Sequence, residues 1–522
     1  MRRQKAVDTA QKAKRGALQV VFGRTAVVVV LVLIQFAMMV GLVTYLRNFV
    51  IPIYAVLFLI STGVVIYIIN QKGNPAFKIT WILCILVFHV FGTIFYLFAK
   101  FQLGTKVMEA KLDSLRVETR EYLSQDRQIV DALRINKPAN ANLSYYLYNQ
   151  LGFPTYRNTA VEYFPLGDDK FPVLLRELKK AEHFIFMEYF IVEKSYMWDK
   201  IREILEYKAA EGVEIRFMYD GMCSISMLPY HYPEKLKEKG IKCKMFNPVK
   251  PVLSTQQNNR DHRKICVIDG KVGFTGGINL GDEYINRKER FGHWKDTAVM
   301  LKGDAVRSFT LMFLQMWGID ERKDETAHFL SYPSFPADHA GGYVIPYGDC
   351  PLDNDKVGER VYMDILNRSL KYVHIMSPYL ILDGETETAL KFAAERGVEV
   401  VLILPGIPDK SIPYALAKTH YASLLASGVQ IFEYTPGFVH AKVFVSDSRE
   451  AVVGTINLDY RSLYHHFECA TYLYGVDCVT QIEADFQATL AKCRQVSIET
   501  VRKEKWHVKL TGYFMKAVAP LM

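Results

Sequence analysis

Two stretches decide the fold: DHRKICVIDGKVGFTGGIN at residues 261–279 and VHAKVFVSDSREAVVGTIN at residues 439–457. Each carries the pattern H-x-K-x4-D, formed by His262, Lys264 and Asp269 in the first copy and by His440, Lys442 and Asp447 in the second. Each continues into G-x-x-N, which ends at Asn279 and Asn457. One such match is weak, because average composition produces it by chance in roughly a few per cent of chains this long. Two matches with the same continuation predict a duplicated unit.

The sequence around these stretches repeats as well. AAEGVEI at 209–215 resembles AAERGVEV at 393–400, and strand-like runs such as FIFMEYFIV (184–192) and VHIMSPYLIL (373–382) alternate with helical stretches. Alternating strands and helices predict an α/β fold in which helices cover a mixed or mostly parallel sheet in each copy. We expect a connector at 101–140, a first repeat at 141–335 and a second at 336–522. The two repeats would form one domain, with corresponding loops facing each other.

The spacing within each motif has a chemical meaning. Residues two apart on a strand project from the same face, so an imidazole and an ammonium group project together from each copy. The glycines allow close backbone approach, and Asn279 and Asn457 offer amide donors. Two such units around one point would cradle a phosphate diester, with no metal or other cofactor required. Lysine and asparagine donors would stabilise charge on the phosphoryl oxygens while one imidazole attacks phosphorus and the other protonates the leaving oxygen.

Carboxylates at equivalent positions could orient the two histidines. Asp296 begins a strand-like run 34 residues after His262, and Glu468 begins a similar run 28 residues after His440. A histidine held in one tautomer needs an acceptor on its other nitrogen, so we assign this role to both carboxylates.

Two further pairs of polar residues lie in or near the motifs. The motif itself places Asp269 and Asp447 among the catalytic residues, although a strand end also suits a structural partner in a turn. His465 and His466 precede Glu468 and are interpreted as exposed loop histidines, with a role in the site as the alternative.

The charge of the chain is concentrated in its first fifth. Residues 1–100 hold eleven Lys or Arg and one acid, Asp8, whereas residues 101–522 hold 53 basic and 54 acidic residues. A basic arm at 1–24 precedes three uncharged apolar runs of 20–22 residues, at 25–46, 50–69 and 79–99. A helix of that length crosses a hydrocarbon core of about 30 Å, so we predict three transmembrane helices, or two plus one interfacial or re-entrant helix. The near-neutral remainder does not favour a nucleic-acid partner.

The side of the membrane is left open by two conflicting signals. The basic arm favours a cytoplasmic N-terminus, which with three spans would carry the rest of the chain outside. Seven cysteines outside the apolar runs, odd in number and without C-x-x-C spacing, instead favour reduced thiols in a cytosolic domain. The C-terminal stretch 501–522 interleaves basic and aromatic residues, which suits either an interfacial helix on anionic lipid or a helix packed on the domain.

The duplicated motif resembles the phospholipase D superfamily. The flanking stretches NNRDHRKICVIDG, GGINLGDEYI, GHWKDT and GTINLDYRSLYHHFE are similar to those of bacterial cardiolipin synthases, over roughly residues 50–522. No catalytic position departs from the superfamily pattern, except that the second copy has Gly-Thr at 454–455 where the first has Gly-Gly.

That resemblance implies an enzyme of the bacterial cell membrane, multi-pass, that transfers a phosphatidyl group. One phosphatidylglycerol would donate it to a histidine and release glycerol, and a second would accept it to give cardiolipin, without a cofactor. By analogy His262 is the nucleophile and His440 the acid and then the base, with the reverse assignment left open. Phosphatidylglycerol, cardiolipin and an anionic lipid surface are the expected partners, and the oligomeric state is not readable. A hydrolase of phospholipids is the alternative, and a nuclease a more distant one.

Overall fold

The structure, a computed structural model, describes residues 50–521 except 101–102, 250–254, 322–323, 335–336, 338–339 and 354, together with Leu33, Ala37, Val40 and Gly41. The basic arm at 1–24 and nearly all of the predicted span at 25–46 lie outside the described residues. The chain divides into two compact units. The first comprises Met1–Lys106, Val249–Asn258 and Pro520–Met522, and the second Val107–Pro248 and Asn259–Ala519.

The first unit contains three apolar helices: α1 (Val50–Asn70), α2 (Pro75–Val87) and α3 (His89–Lys100). Within the described residues, α1 is the one helix that is long and apolar enough to cross a membrane. The predicted span over 79–99 is wrong as a single helix, because the backbone leaves helical geometry at Phe88 (φ −126°, ψ 68°).

Around Phe88 the chain folds back on itself. The Trp81 ring on α2 lies 5.5 Å from that of Phe95 and 5.4 Å from that of Tyr96, both on α3. Gly92 permits the close approach, since a Cβ there would lie 2.5 Å from the Cys84 carbonyl oxygen. Thirteen residues of helix reach only about 20 Å, so neither arm of this hairpin is long enough by itself to cross a hydrocarbon core of about 30 Å.

The second unit holds both copies of the motif, each on its own sheet. The strands of the first half are β1 (Thr159–Phe164), β2 (Phe184–Tyr189), β3 (Glu214–Asp220), β4 (Lys242–Phe246), β5 (Arg260–Asp261), β6 (Lys264–Ile268), β7 (Val272–Gly276), β8 (His293–Lys295) and β9 (Ala298–Gly303). Seven of them form a sheet in the order β1-β9-β7-β6-β2-β3-β4. Only β2, β3 and β4 run parallel; the other neighbours are antiparallel.

The second half repeats this arrangement. Its strands are β10 (Tyr343–Asp349), β11 (Tyr372–Met376), β12 (Glu399–Pro405), β13 (Gln430–Tyr434), β14 (Gly437–Val439), β15 (Val443–Ser446), β16 (Glu450–Gly454), β17 (His466–Tyr474) and β18 (Cys493–Gln495). The sheet order is β10-β17-β16-β15-β11-β12-β13-β18, with β11, β12 and β13 parallel. Both sheets are therefore mixed, and the alternative of a mostly parallel sheet is wrong because the motif strands turn back through tight antiparallel hairpins.

Helices cover the two sheets, and the sheets share a core. The remaining helices are α4 (Leu103–Thr119), α5 (Arg127–Asn136), α6 (Pro138–Leu151), α7 (Gly167–Lys179), α8 (Tyr196–Ala210), α9 (Cys223–Ser226), α10 (Tyr232–Lys237), α11 (Val306–Trp317), α12 (Thr326–Leu330), α13 (Val357–Arg368), α14 (Gly384–Glu395), α15 (Ser411–Ala426), α16 (Cys478–Leu490), α17 (Ile498–Arg502) and α18 (Trp506–Val518). Ile265 and Val267 of β6 lie in one buried cluster with Val443 and Val445 of β15. This cluster packs the two motif strands into a common interior.

Helix α6 shows where the predicted repeat boundary departs from the packing. Its buried residues Leu143 and Leu147 belong to the core around Ile345 and Tyr347 of β10. The helix therefore packs with the second copy, whereas the boundary at residue 141 places it with the first.

Candidate active site

Each motif histidine follows a short strand that pairs with the other copy. Strand β5 runs parallel to the start of β17, and the His262 amide donates to the Phe467 carbonyl at 2.9 Å. Strand β14 runs parallel to β8, and the His440 amide donates to the Lys295 carbonyl at 2.7 Å. The partner strands β17 and β8 lead directly into Glu468 and Asp296. The backbone thus carries each histidine to the carboxylate of the opposite copy.

The side chains complete this exchange. His262 Nδ1 lies 2.8 and 3.0 Å from the two carboxylate oxygens of Glu468, and His440 Nδ1 lies 2.6 Å from Asp296 Oδ2. Both carboxylates are fully buried. The sequence places the two carboxylates at equivalent positions but does not show which histidine each one holds. In the structure, each histidine is paired with the carboxylate of the other repeat. A carboxylate on Nδ1 leaves Nε2 of each ring as the nitrogen available for chemistry.

At the second residue of each G-x-x-N, which is glycine in the first copy and threonine in the second, the chain lies against the orienting carboxylate. A Cβ at Gly277 would lie 2.0 Å from Asp296 Oδ1, so glycine is required there. In the second copy Thr455 takes this place and donates its hydroxyl to Glu468 Oε2. Burial alone would raise the pKa of Glu468, but its electrostatic interaction and hydrogen bond with His262 hold that pKa well below its usual range. Glu468 is thereby kept ionised.

The two lysines are buried beside the histidines. Lys264 and Lys442 each donate to the backbone carbonyl of the histidine two residues earlier. Burial lowers the pKa of Lys264 to about 8 and that of Lys442 to about 7, although the nearby Asp296 and Glu468 oppose the change. A bound anion would supply the negative counter-charge that these two lysines lack, and it would favour their protonated form.

Burial also keeps both imidazoles neutral at physiological pH. It lowers the pKa of His440 to about 4 and that of His262 well below its ordinary value, in both cases against the pull of the paired carboxylate. A neutral Nε2 carries the lone pair that a nucleophile or general base needs.

The two motif asparagines differ in their contacts. Asn279 accepts a hydrogen bond from the Ile191 amide and donates one to the Tyr284 hydroxyl, both at 3.0 Å. The Tyr284 ring in turn lies 5.7 Å from that of His440. Asn457 is buried, and its Oδ1 has no hydrogen-bond partner among the described residues. Asn279 is therefore held by hydrogen bonds at both polar atoms of its amide, whereas Asn457 is not.

Asp269 and Asp447, which the motif places among the catalytic residues, lie apart from this group. Asp269 accepts three backbone N–H bonds at 2.7–2.8 Å from residues 182–184, and Asp447 accepts three at 2.9–3.0 Å from residues 370–372. Each stands at the far end of its strand, roughly 20 Å along the chain from the histidine. They hold the turns that lead into β2 and β11.

His466 was misread from the sequence as an exposed loop residue. It is buried at the start of β17, and its ring centroid lies 5.4 Å from that of His262. Its position two residues before Glu468 is the signal that places it on the same strand face as that carboxylate. Trp294 holds the equivalent position before Asp296, with its ring 5.3 Å from that of His440. Each motif histidine therefore lies beside the ring of the residue that stands two positions before its orienting carboxylate.

Two groups of described residues could supply three metal ligands each. Potential ligand atoms of His262, His466 and Glu468 lie within 4.8 Å of one another, as do those of Glu359, Asp383 and Glu385 elsewhere in the second copy. The arrangement of two imidazoles, two lysines and two asparagines already supplies a nucleophile, a proton carrier and donors for a phosphoryl group.

Comparison with known proteins agrees with this geometry. A family model described as cardiolipin synthase, PLD-like domain, matches residues 174–317 and 362–490, which include both histidines. An uncharacterized protein from Streptococcus mutans is 54% identical over 88% of this chain and 100% of its own length. A cardiolipin synthase from Halalkalibacterium halodurans is 33% identical over 92% of this chain and 96% of its own length. The crystal structure of phosphatidylserine synthase from Haemophilus influenzae shares the fold, with a TM-score of 0.57 at 14% identity over 74% of this chain and 100% of that one.

Proposed function

Because this chain belongs to the cardiolipin synthase family built on phospholipase D-like domains, we propose that it is a phosphatidyltransferase that makes cardiolipin from two molecules of phosphatidylglycerol and releases glycerol. The observation that carries the proposal is the pair of buried, neutral imidazoles, each held by a carboxylate of the opposite copy. Such a pair divides one substitution at phosphorus into two, with a covalent intermediate between them.

In the first step His262 Nε2 attacks the phosphorus of one phosphatidylglycerol. The bond from phosphorus to the headgroup glycerol oxygen breaks, and His440 gives that oxygen its proton, so that glycerol leaves. The anionic phosphate raises the proton affinity of His440 as it enters, offsetting the effect of burial, so that Nε2 takes up from solvent the proton that it then gives to the leaving glycerol. Glu468 stabilises the positive charge that develops on His262, while the lysines and asparagines face the phosphoryl oxygens.

In the second step the terminal headgroup hydroxyl of another phosphatidylglycerol replaces the departed glycerol. His440 removes the proton of this hydroxyl, its oxygen attacks phosphorus, and the bond from phosphorus to His262 breaks. Cardiolipin leaves, His262 returns to its neutral form, and His440 has regained its proton. Water in place of the lipid hydroxyl would give phosphatidic acid, the product of a hydrolase.

The proposal is tested by incubating the purified full-length protein with phosphatidylglycerol in vesicles and analysing lipids and released glycerol. We expect one cardiolipin and one glycerol for every two phosphatidylglycerol molecules consumed. Phosphatidic acid without cardiolipin would identify a hydrolase instead. A labelled oligonucleotide that stays intact under the same conditions would exclude the nuclease.

The pH dependence of kcat/KM should report the buried lysines. The phosphodiester stays singly charged above pH 6, whereas the pKa values of Lys442 and Lys264, lowered by burial to about 7 and about 8, predict loss of positive charge between pH 7 and 9. We expect kcat/KM to fall as pH rises through this range, by up to about tenfold per unit for each lost charge. Values of kcat should fall less, because bound phosphate keeps both lysines protonated. A kcat/KM that stays flat to pH 9 would contradict the assignment.

For the membrane, we infer that two helices cross and the α2–α3 hairpin does not. The first apolar run at 25–46 and α1 would then return the chain to the side on which it began. This reconciles the basic arm, which favours a cytoplasmic N-terminus, with the eight cysteines, none of which forms a disulfide. We propose a multi-pass enzyme of the bacterial cell membrane with its catalytic unit in the cytoplasm. Membrane-impermeant thiol reagents should therefore label the protein in lysed cells and not in intact ones.

Helix α18 has the composition of a lipid-contacting surface. Trp506, Leu510 and Phe514, spaced four residues apart, are 75%, 61% and 69% exposed. On the opposite side Gly512 packs against α15, where a Cβ would lie 2.4 Å from the Ala415 carbonyl oxygen. Lysines at 505, 509 and 516 complement the anionic headgroups of the proposed substrate. We propose that this face lies on the anionic bilayer.

Removing two of these rings should weaken turnover on membranes alone. We expect Trp506→Ala/Phe514→Ala to lower activity on phosphatidylglycerol vesicles by roughly 3- to 10-fold, because the lost aromatic area no longer enters the interface. Activity on substrate dispersed in detergent should be unchanged. Phe392→Ala, which removes an exposed ring on α14, is the matched control. Equal losses in detergent and vesicles would mean that the helix has a structural role.

A further inference from the structure

The two halves of the active centre carry different rings at one equivalent position. Trp294 and His466 each precede an orienting carboxylate by two residues, and each lies beside the histidine which that carboxylate holds, at 5.3 and 5.4 Å between ring centroids. Both are buried, at 6% and 7% exposure. Tryptophan offers a single N–H donor, whereas imidazole can both donate and accept. The His262 side therefore has an imidazole, which can accept a hydrogen bond as well as donate one, where the His440 side has an indole that can only donate.

Within the described residues, neither Nδ1 nor Nε2 of His466 has a hydrogen-bond partner, and both atoms are shielded from solvent. Glu468 Oε1 lies 3.8 Å from Nδ1, which is beyond hydrogen-bonding distance. The charge of Asp459 also acts on His466 without a hydrogen bond between them. The Phe190 ring lies 6.2 Å away and also contacts His262 at 4.9 Å.

An unpaired imidazole at this depth costs stability, so a ligand should complete its hydrogen bonding. The group that must come close to His262 during the proposed reaction is the lipid phosphate. An in-line displacement places the leaving or attacking oxygen opposite His262, on the side of His440, and leaves the phosphoryl oxygens beside the neighbours of His262. His466 stands among these neighbours.

We propose that His466 is a substrate-contacting residue whose imidazole donates a hydrogen bond to a phosphoryl oxygen of the lipid phosphate at His262. This inference rests on the proposed transfer through His262. It assigns the substrate a contact beyond the duplicated motif. It also makes the two halves inequivalent, since only the half that carries the phosphate on its histidine has this imidazole beside it.

The test compares His466→Leu with His466→Asn in the full-length protein. Leucine fills the site without a polar atom, so we expect the melting temperature to rise by a few degrees while kcat/KM for phosphatidylglycerol falls at least 30-fold. Asparagine keeps a donor, and we expect it to restore kcat/KM to within about fivefold of the unchanged protein. His465→Leu, one residue earlier and only half-buried, is the control and should leave kcat/KM unaltered.

Binding of orthovanadate, which adopts the five-coordinate geometry of a phosphoryl group in transfer, separates this inference from the proposed function. Calorimetric titration should show at least tenfold weaker binding in His466→Leu than in the unchanged protein or in His465→Leu. If the unchanged protein made no cardiolipin but His466→Leu weakened vanadate binding in this way, the proposed function would be wrong. The proposed contact of His466 with the phosphoryl oxygen would still be supported. If the unchanged protein made cardiolipin and His466→Leu matched it in turnover and vanadate binding, the contact alone would fail. A lower melting temperature in both His466 variants, without rescue by asparagine, would show a structural role and overturn the proposal.

Discussion

Replacing His440 with alanine should stop cardiolipin formation and leave a phosphatidyl group attached to His262. In the proposed mechanism His440 carries the proton in both steps, and loss of general acid and base catalysis costs about 10²–10⁴-fold for each step it serves. A phosphatidyl ester of p-nitrophenol removes the need for the acid, because its leaving group departs unprotonated. With this substrate His440→Ala should release one equivalent of nitrophenol in a burst and then stall, since no base activates the second lipid.

The same substrate identifies the nucleophile. His262→Ala should show neither burst nor turnover, because without the His262 imidazole no nucleophile at that position can take up the phosphatidyl group. The adduct in His440→Ala can be located by mass spectrometry of the peptide that contains residue 262. A burst in His262→Ala together with an adduct on His440 would reverse the two roles while leaving the chemistry intact.

The sequence was sufficient for the parts of this site that depend on local spacing. Two-residue strand periodicity places His262 with Lys264 and His440 with Lys442, and the duplication predicts that the pairs converge. The structure does bring them to one buried centre, with Ile265 and Val443 in the shared core behind them.

Other features depend on contacts that no local pattern encodes. The exchange of carboxylates between copies follows from β5 and β14, strands of two and three residues that are too short to leave a hydrophobic period. His466 looked like a loop residue because the stretch before it is polar, yet Phe190 and His262 enclose it. The break at Phe88 has neither proline nor glycine beside it, so the apolar run reads as a continuous helix.

The exchanged carboxylates should give two variants with opposite kinetic defects. Glu468→Gln removes the charge that holds His262, so it should slow the nitrophenol burst by about 10³–10⁴-fold, the size of the loss when an orienting carboxylate becomes an amide. Asp296→Asn instead disturbs His440. It should leave the burst close to its normal rate and slow the subsequent turnover to a similar extent.

This contrast follows from distances and not from sequence order. If each carboxylate served the histidine of its own copy, Asp296→Asn would abolish the burst and Glu468→Gln would spare it. The observed contacts, 2.8 Å from Glu468 to His262 and 2.6 Å from Asp296 to His440, require the opposite result. Asp447→Asn is the matched control, because that carboxylate binds only backbone amides at the far end of its strand; it should lower the melting temperature and leave the ratio of burst to turnover unchanged. In the proposed mechanism each copy supplies the nucleophile or the acid while the other supplies the carboxylate that orients it, so neither copy alone contains a complete histidine–carboxylate pair.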